Sequence, residues 1–550
     1  MQIIIPMSGF GERFRRAGYA MPKPLIPVDG KPIIAHVIEM FPDETDFIFI
    51  CNEDHLAVPE YEMSKTLRKY CPTGKIVPIG SHKLGPVNAV LQARAFIKPD
   101  VPVIVNYCDF AQYWDFNDFK SFVEETKCDG AVPCYRGFHP HSLGSTFYAY
   151  VRHDNLWMTD IQEKNPYTDT PINEYASSGT YYFSSGALCL EAFDAQLAQN
   201  LMVGGEYYAS LAYLPLLAQD KKIAIYDIQH FMQWGTPQDL EEYLNWSETF
   251  RQLMTAGASR ARQKGSVLLP MAGLGSRFAK EGYTLPKPLI PVSGRPMVLQ
   301  AVNDLPAAAH YVFVTRADLL NLEDIVKKLQ SSFLNVDVIV LDGPTEGQAI
   351  TCLKGMDKVE SHLPLTIGAC DNGMLYDVEA LDGLLRDDAV DLIVWTIRGH
   401  PDGIARPEMF GWVSVDETDT VTGVSVKAKI DDPTTDPMIV GAFTFKQAQQ
   451  FKMLADRLID NDVRINGEFY VDSLIAEAID AGLTCKIFDI ESYIGWGTPN
   501  DIKVFEYWQS CFHKWFGHPY KLDKDSRIPS VKLNALAQSY EKTIPARPKA

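Results

Sequence analysis

The chain has 550 residues, 46% of them apolar and 22% charged, with 51 Lys and Arg against 70 Asp and Glu and a formal net charge of −19. That length exceeds one ordinary core and calls for roughly two to four domains, while the composition is that of a globular chain rather than a disordered or collagenous one. The acidic balance excludes the basic footprint needed on nucleic acid or an anionic membrane, and no apolar run approaches the roughly 20 residues of a membrane span.

The first residues run from Met1 straight into Gln2-Ile3-Ile4-Ile5-Pro6, without the basic segment and long apolar stretch of a secretory leader. A cytoplasmic protein is therefore expected. The ten cysteines include no Cys-x-x-Cys pair, so reduced, buried thiols are expected rather than a zinc site or a disulfide framework.

Along the first half, short apolar runs bounded by turn signals predict strands over 2–7, 46–51, 75–80, 101–108 and 131–134. Helical spacing recurs between them over 32–41, 84–97 and 116–126. Strands alternating with helices predict an α/β fold, a mainly parallel sheet with helices on both faces. Around 146–163 the pattern turns to strict alternation, with Asp154-Asn155 as the hairpin turn of a small antiparallel arm. Ligands in such sheets sit beyond the carboxyl ends of the strands.

A long-period repeat reorganises this reading. Residues 6–32 read PMSGFGERFRRAGYAMPKPLIPVDGKP and residues 270–296 read PMAGLGSRFAKEGYTLPKPLIPVSGRP; 11 of the 16 positions from Gly18 to Ile33 recur from Gly282 to Met297. The register holds onward through Asp109 and Asp371, Lys164 and Lys427, and Trp234 and Trp496. A period that long is a tandem of whole domains, predicted over 1–255 and 266–510. A small and basic stretch over 256–265 then reads as a linker, and 511–550 as a tail, polar and extended beyond 520. The tail aromatics Phe512, Trp515, Phe516 and Tyr520 are expected to pack on the second copy. His139 and His141 read as solvated loop histidines.

Chemistry concentrates after the strands. Gly9-Phe10-Gly11-Glu12-Arg13 and Gly273-Leu274-Gly275-Ser276-Arg277 are either bare turns or loops that bring backbone N–H groups and an arginine to phosphate. Neither is a Walker A loop or a complete dinucleotide fingerprint. Pro22-Lys23-Pro24 and Pro286-Lys287-Pro288 each fix one lysine between two prolines. The Arg-to-Lys spacing recurs in both copies, which favours a two-cation phosphate site.

These motifs, Gly-x-Gly-x-Arg-Phe followed by Pro-Lys-Pro-Leu-Ile-Pro-Val and Gly-Lys/Arg-Pro, resemble the N-terminal signature of the sugar-1-phosphate nucleotidyltransferases, in two tandem copies. The resemblance implies Rossmann-like domains that bind an NTP and a sugar phosphate. It places the triphosphate on Gly9, Gly11, Arg13 and Lys23, and on Gly273, Gly275, Arg277 and Lys287. It places the base near Gly85 and Pro86, or Gly347 and Gln348, where the family's Gly-Thr-Ala is altered.

Mg²⁺ is implied at Asp109 and Asp371, which otherwise read as helix-capping acids. Sugar-phosphate contacts are implied at Lys164 and Glu206, and at Lys427 and Glu468; Lys429 competes with Lys427, and Val426 stands where the first copy has Glu163. Both copies carry Trp-Gly-Thr-Pro, but Gln233 and Gly495 replace the family's second metal-binding Asp.

The implied reaction is attack of a sugar-1-phosphate oxygen on the α-phosphorus of an NTP, with pyrophosphate leaving. Two active sites with different substrates are expected, supplying activated sugars for surface polysaccharide, with oligomer formation open. Alternatives are a cytidylyltransferase for another phosphorylated acceptor, a GT-A glycosyltransferase, or one catalytic copy beside a nucleotide-binding regulatory or scaffold copy. The glycosyltransferase would want an Asp-x-Asp motif, absent around Asp109 and Asp371.

Overall fold

A computed structural model describes residues 1–144, 147–255, 260–428 and 430–541. Four residues of the expected linker (256–259), Lys429 and the last residues of the expected tail (542–550) lie outside the described residues. The chain divides into two units. Unit 1 is Met1–Ser247 with Ser510–Pro519 and, among the described residues, 540–541; unit 2 is Glu248–Gln509 with Tyr520–Ser539.

In unit 1 the apolar run at the start forms the strand Gln2–Met7, whose Ile3, Ile4 and Ile5 are fully buried. It pairs in parallel with Asp46–Asn52 on one side and Val103–Asn106 on the other. An unbroken apolar run is what a strand buried on both faces requires. The full sheet runs Tyr175–Ser177, Ala149–Asp154, Trp157–Glu163, Ile223–Asp227, Gly130–Tyr135, Thr180–Phe183, Val103–Asn106, Gln2–Met7, Asp46–Asn52, Lys75–Ile79.

The expected mainly parallel mixed sheet is mixed, and its antiparallel pairings reach beyond the arm. Thr180–Phe183 runs antiparallel to both of its neighbours. It continues the direction of Tyr175–Ser177 across Ser178 and Gly179, and both segments run antiparallel along Gly130–Tyr135. The antiparallel arm forms as expected: Ala149–Asp154 pairs with Trp157–Glu163, and Asn155 takes the left-handed conformation in the turn (φ 51°). The helix Phe116–Thr126 starts where Asp115 accepts from the N–H groups of Asn117 and Asp118.

Unit 2 has the sheet order Cys485–Asp489, Leu392–Ile397, Met438–Phe445, Leu365–Ile367, Arg262–Pro270, Ala307–Arg316, Val336–Leu341. Read from Ile223–Asp227 onward, unit 1 has the same succession of connections. The arm of unit 2 is Gly411–Val415 paired with Val421–Val426. Parallel and antiparallel pairings again mix, with Met438–Phe445 antiparallel to Leu365–Ile367 and Leu392–Ile397.

Three boundary expectations change. The strand Arg262–Pro270 begins inside the expected linker and pairs with Ala307–Arg316; Val267, Leu268 and Leu269 are fully buried and pull its start inward. The expected extended tail is built into unit 2, where Tyr520, Leu522 and Ile528 are buried and Leu533–Tyr540 is helical. A few spaced apolar side chains anchor an otherwise polar segment.

Phe512 and Trp515 belong to unit 1, not the second copy. Phe512 packs at 5.6 Å from Tyr243, and Trp515 at 5.5 Å from His36 and 6.4 Å from Trp234. All ten cysteines are free thiols, nine buried and Cys370 half-buried. Among the described residues no helix is long and apolar enough to cross a membrane.

Candidate active site

In unit 1 the carboxyl ends of the strands open into a cleft of about 530 Å³. Gly9, Gly11, Arg13, Lys23, Gly85, Pro86, Asp109, Lys164 and Glu206 all line it. The sequence separates these residues by nearly two hundred positions, and the sheet brings them together.

Lys23 opens a single 3-10 turn, Lys23–Leu25, between Pro22 and Pro24. The prolines fix the backbone, and the Leu25 N–H closes the turn on the Pro22 carbonyl at 2.8 Å. The Lys23 ammonium donates to Asp109 Oδ2 at 2.8 Å. Burial disfavours that charge, yet Asp109 outweighs the burial and raises the lysine above its ordinary value. Arg13 is exposed, and among the described residues no carboxylate pairs with it; its guanidinium lies 5.7 Å from the Phe147 ring. A free guanidinium beside a locked ammonium makes an anion site whose second cation is already placed.

Asp109 follows the strand Val103–Asn106, and its carbonyl accepts from the Trp234 N–H at 2.9 Å. This hydrogen bond brings Gly235 against the carboxylate: a Cβ there would stand 3.3 Å from Asp109 Oδ2. The glycine of Trp-Gly-Thr-Pro thus keeps the space beside the carboxylate clear. Asp239, two residues into the next helix, accepts from Gln233 Nε2 at 2.7 Å and from the Thr236 hydroxyl. Burial raises its pKa; the Thr236 and Gln233 hydrogen bonds pull it back, and the Asp109 charge adds to the rise.

Gly85 is fixed by a different demand. Its φ is 86°, and a Cβ would land 2.7 Å from the Tyr207 backbone nitrogen. The Tyr207 N–H donates to the Leu84 carbonyl and the Val87 N–H to the Tyr207 carbonyl, so the Gly85-Pro86 turn and the Glu206 loop form one wall. Lys164 follows the second arm strand in the left-handed conformation (φ 59°). It donates to the Tyr208 hydroxyl, which donates to Glu206. Glu163, buried beside it, accepts from Ser210 Oγ at 2.6 Å; burial raises its pKa against the pull of Ser210 and Lys164.

Unit 2 repeats these pairings. Lys287 pairs with Asp371; burial is the largest single effect on its charge, but the Asp371 charge, Cys370 and the hydrogen bond to Asp371 together outweigh it and raise the lysine. The Asp371 carbonyl accepts from the Trp496 N–H at 2.8 Å. A Cβ on Gly497 would stand 3.4 Å from Asp371 Oδ2 and 3.7 Å from Asp501 Oδ2, so two carboxylates converge on that glycine. Gly275 packs on Lys287 as Gly11 does on Lys23.

Gly273 and Arg277 are exposed on their loop. Gly347 (φ 122°) meets the Phe469 backbone, and Gln348 begins the helix Gln348–Leu353. Lys427 (φ 49°) donates to Tyr470 at 2.7 Å and Tyr470 to Glu468 at 2.8 Å.

The sequence reading missed Tyr208 and Tyr470, the middle members of the Lys–Tyr–Glu chains, and Asp239 and Asp501 beside the metal-candidate acids. All four recur at matching places in the two copies, in Gly-Glu-x-Tyr and Trp-Gly-Thr-Pro-x-Asp, and that recurrence was the available signal. His139 and His141 are not solvated: His139 is buried, and His141 lies 3.0 Å from the Tyr135 hydroxyl, its pKa pushed well down by burial.

A GlmU bifunctional protein from Methanococcus vannielii is 27% identical over 244 residues, 44% of this chain and 53% of that protein. A mannose-1-phosphate guanyltransferase from Schizosaccharomyces pombe is 23% identical over 246 residues, 44% of this chain and 62% of that one. The chain spans about half the length of these relatives. A solved nucleoside-diphosphate-sugar pyrophosphorylase from Vibrio cholerae RC9 aligns at 21% identity with a TM-score of 0.37, over 44% of this chain and 99% of its own. Residues 2–223, which contain the first copy of every motif up to Glu206, match the family described as nucleotidyl transferase.

Proposed function

We propose that the chain is a nucleotidyltransferase that joins the nucleotidyl group of an NTP to a sugar 1-phosphate, releasing pyrophosphate. We further propose that each unit is a separate active site with its own acceptor. The observation that carries this reading is the convergence, in one cleft, of two groups of opposite use. Arg13 and the Lys23–Asp109 pair line it together with the Lys164–Tyr208–Glu206 chain.

The chemistry asks little of the protein beyond placement and charge. A sugar-phosphate oxygen is already ionised near neutral pH, so no general base is needed. The oxygen attacks the α-phosphorus in line, the bond to the bridging oxygen breaks, and the electron pair leaves with pyrophosphate. Arg13 and Lys23 hold the triphosphate and balance the charge that builds on the leaving group, as Arg277 and Lys287 would in unit 2. Lys164 and Lys427 hold the incoming phosphate, while Glu206 and Glu468 accept from hydroxyls through or beside their tyrosines.

The residues suit Mg²⁺ of the kind carried on phosphates. Asp109 faces space that Gly235 keeps clear, with Asp239 beyond it; in unit 2 Asp371 and Asp501 converge on Gly497. A hard cation held by one or two carboxylates and completed by phosphate and water fits that donor set. Bound there, it would neutralise phosphate charge. Asp239 and Asp501 stand in for the acid absent at Gln233 and Gly495.

Supply of activated sugars to a surface polysaccharide, from the cytoplasm, completes the proposal. The test is pyrophosphate release by the full chain with each of the four NTPs against a panel of sugar 1-phosphates, with and without EDTA. Metal-dependent release with at least one pair is expected; no release with any pair overturns the reading.

A further inference from the structure

The two units handle the residue before the acceptor lysine in opposite ways. In unit 1 Glu163 is paired across the arm with Ala149, and its carboxylate accepts from Ser210. In unit 2 the same register pairs Val426 with Gly411, and the position of Ser210 is taken by Asp472. Three substitutions therefore move together: Ala149, Glu163 and Ser210 become Gly411, Val426 and Asp472.

Gly411 explains how they fit. A Cβ on Gly411 would lie 2.5 Å from Asp472 Oδ2, so the alanine of unit 1 would force this carboxylate out of its present place. Glycine opens the space, valine removes the acid from the strand, and the acid returns from the loop that follows Glu468. Asp472 is half-buried, and its carboxylate accepts from its own backbone N–H, with no side-chain donor among the described residues. Burial raises its pKa to about 6 while Lys427 pulls it down.

We infer that Asp472 is a second acceptor-reading carboxylate of unit 2, beside Glu468, entering from the loop where unit 1 keeps its buried acid on the arm strand, and that unit 2 takes a polyhydroxylated phosphate. This rests on the nucleotidyl-transfer reading. A carboxylate beside the lysine that holds the acceptor phosphate repels that phosphate, so it faces the uncharged part of the acceptor. The donors available there to an acceptor-only carboxylate are hydroxyls. Unit 1 has no carboxylate at this loop position, where Ser210 stands and donates to Glu163 instead, so the two units select different acceptors.

The experiment uses the full chain with unit 1 silenced by Lys23→Ala. Initial rates of pyrophosphate release are measured with four NTPs against glucose, galactose, mannose and N-acetylglucosamine 1-phosphates and their monodeoxy analogues. In Asp472→Asn, which keeps the side chain's shape, KM for the acceptor is expected to rise roughly 10- to 100-fold, the worth of a hydrogen bond to a charged group. KM for the NTP stays within about twofold, and one deoxy analogue shows no difference between parent and variant.

An unchanged acceptor KM, or an equal rise in KM for the NTP, overturns the role of Asp472 while leaving nucleotidyl transfer intact. Absence of release with every acceptor overturns the nucleotidyl-transfer reading of unit 2, and the inference with it.

Discussion

Unit 1 and unit 2 share a sheet order, a proline-locked lysine on an aspartate, and a Lys–Tyr–Glu chain. They part company in two places: the buried acid beside the acceptor lysine, and the support beneath the Trp-Gly-Thr-Pro element. In unit 2 the Arg527 guanidinium ion-pairs with buried Asp304 and lies over Trp496. The corresponding residue in unit 1 is the apolar Met40. On the proposed reading, the units hold constant the residues assigned to phosphate and vary those assigned to the rest of the acceptor, with the packing behind them. A duplicated chain free to diverge only where substrates differ would vary in this way.

The largest effect that would sharpen the contrast is on stability. Arg527→Ala strands a buried carboxylate in unit 2 and is expected to cost about 3–5 kcal/mol there. Unit 1, with Met40 at the matching place, is untouched. Chemical denaturation read through pyrophosphate release by each unit would show one transition moving and the other fixed. Equal shifts in both would break the comparison.

A smaller effect follows from protonation. The folded-state pKa of Asp472, about 6, stands above its ordinary value of 3.8 because burial disfavours the charge. Its contribution to stability is then full below about pH 4 and lost as pH rises through about 6. Asparagine does not ionise, so the melting temperature of Asp472→Asn should gain on the parent between about pH 4 and pH 7. A gain in the opposite direction would show that Asp472 is stabilised in its charged form.

The smallest predicted effects are those of Tyr208→Phe and Tyr470→Phe. Each removes one hydroxyl from a Lys–Tyr–Glu chain, and the acceptor KM of the unit concerned should rise roughly 3- to 10-fold. The NTP KM should not move, which initial-rate measurements at saturating acceptor would check.

The sequence made the phosphate apparatus legible because it is local and repeated: Arg13 and Lys23 lie ten residues apart, and their partners recur in the second copy. Helix and strand positions in the first half were readable for the same reason, being short runs with clear turn signals. The loop acid was not legible. Gly411, Val426 and Asp472 belong to two arm strands and a loop, and only the strand register shows that one glycine makes room for another residue's carboxylate. Asp239 hid behind its ordinary look as an acid in a first helical turn. The direction of Thr180–Phe183 has no mark in the sequence; it shows only in the antiparallel pairings on both sides of the strand. The tail misled by its polarity, since three buried side chains outweigh the rest.

The central claim is that two separate nucleotidyl-transfer sites share this chain. The most direct measurement is pyrophosphate release by two full-length variants, Lys23→Ala and Lys287→Ala, across the four NTPs and the sugar 1-phosphate panel. Each variant should lose one acceptor's turnover, on the order of 10²- to 10³-fold, and keep the other's. Loss of the same turnover in both variants, or of none in either, would contradict it.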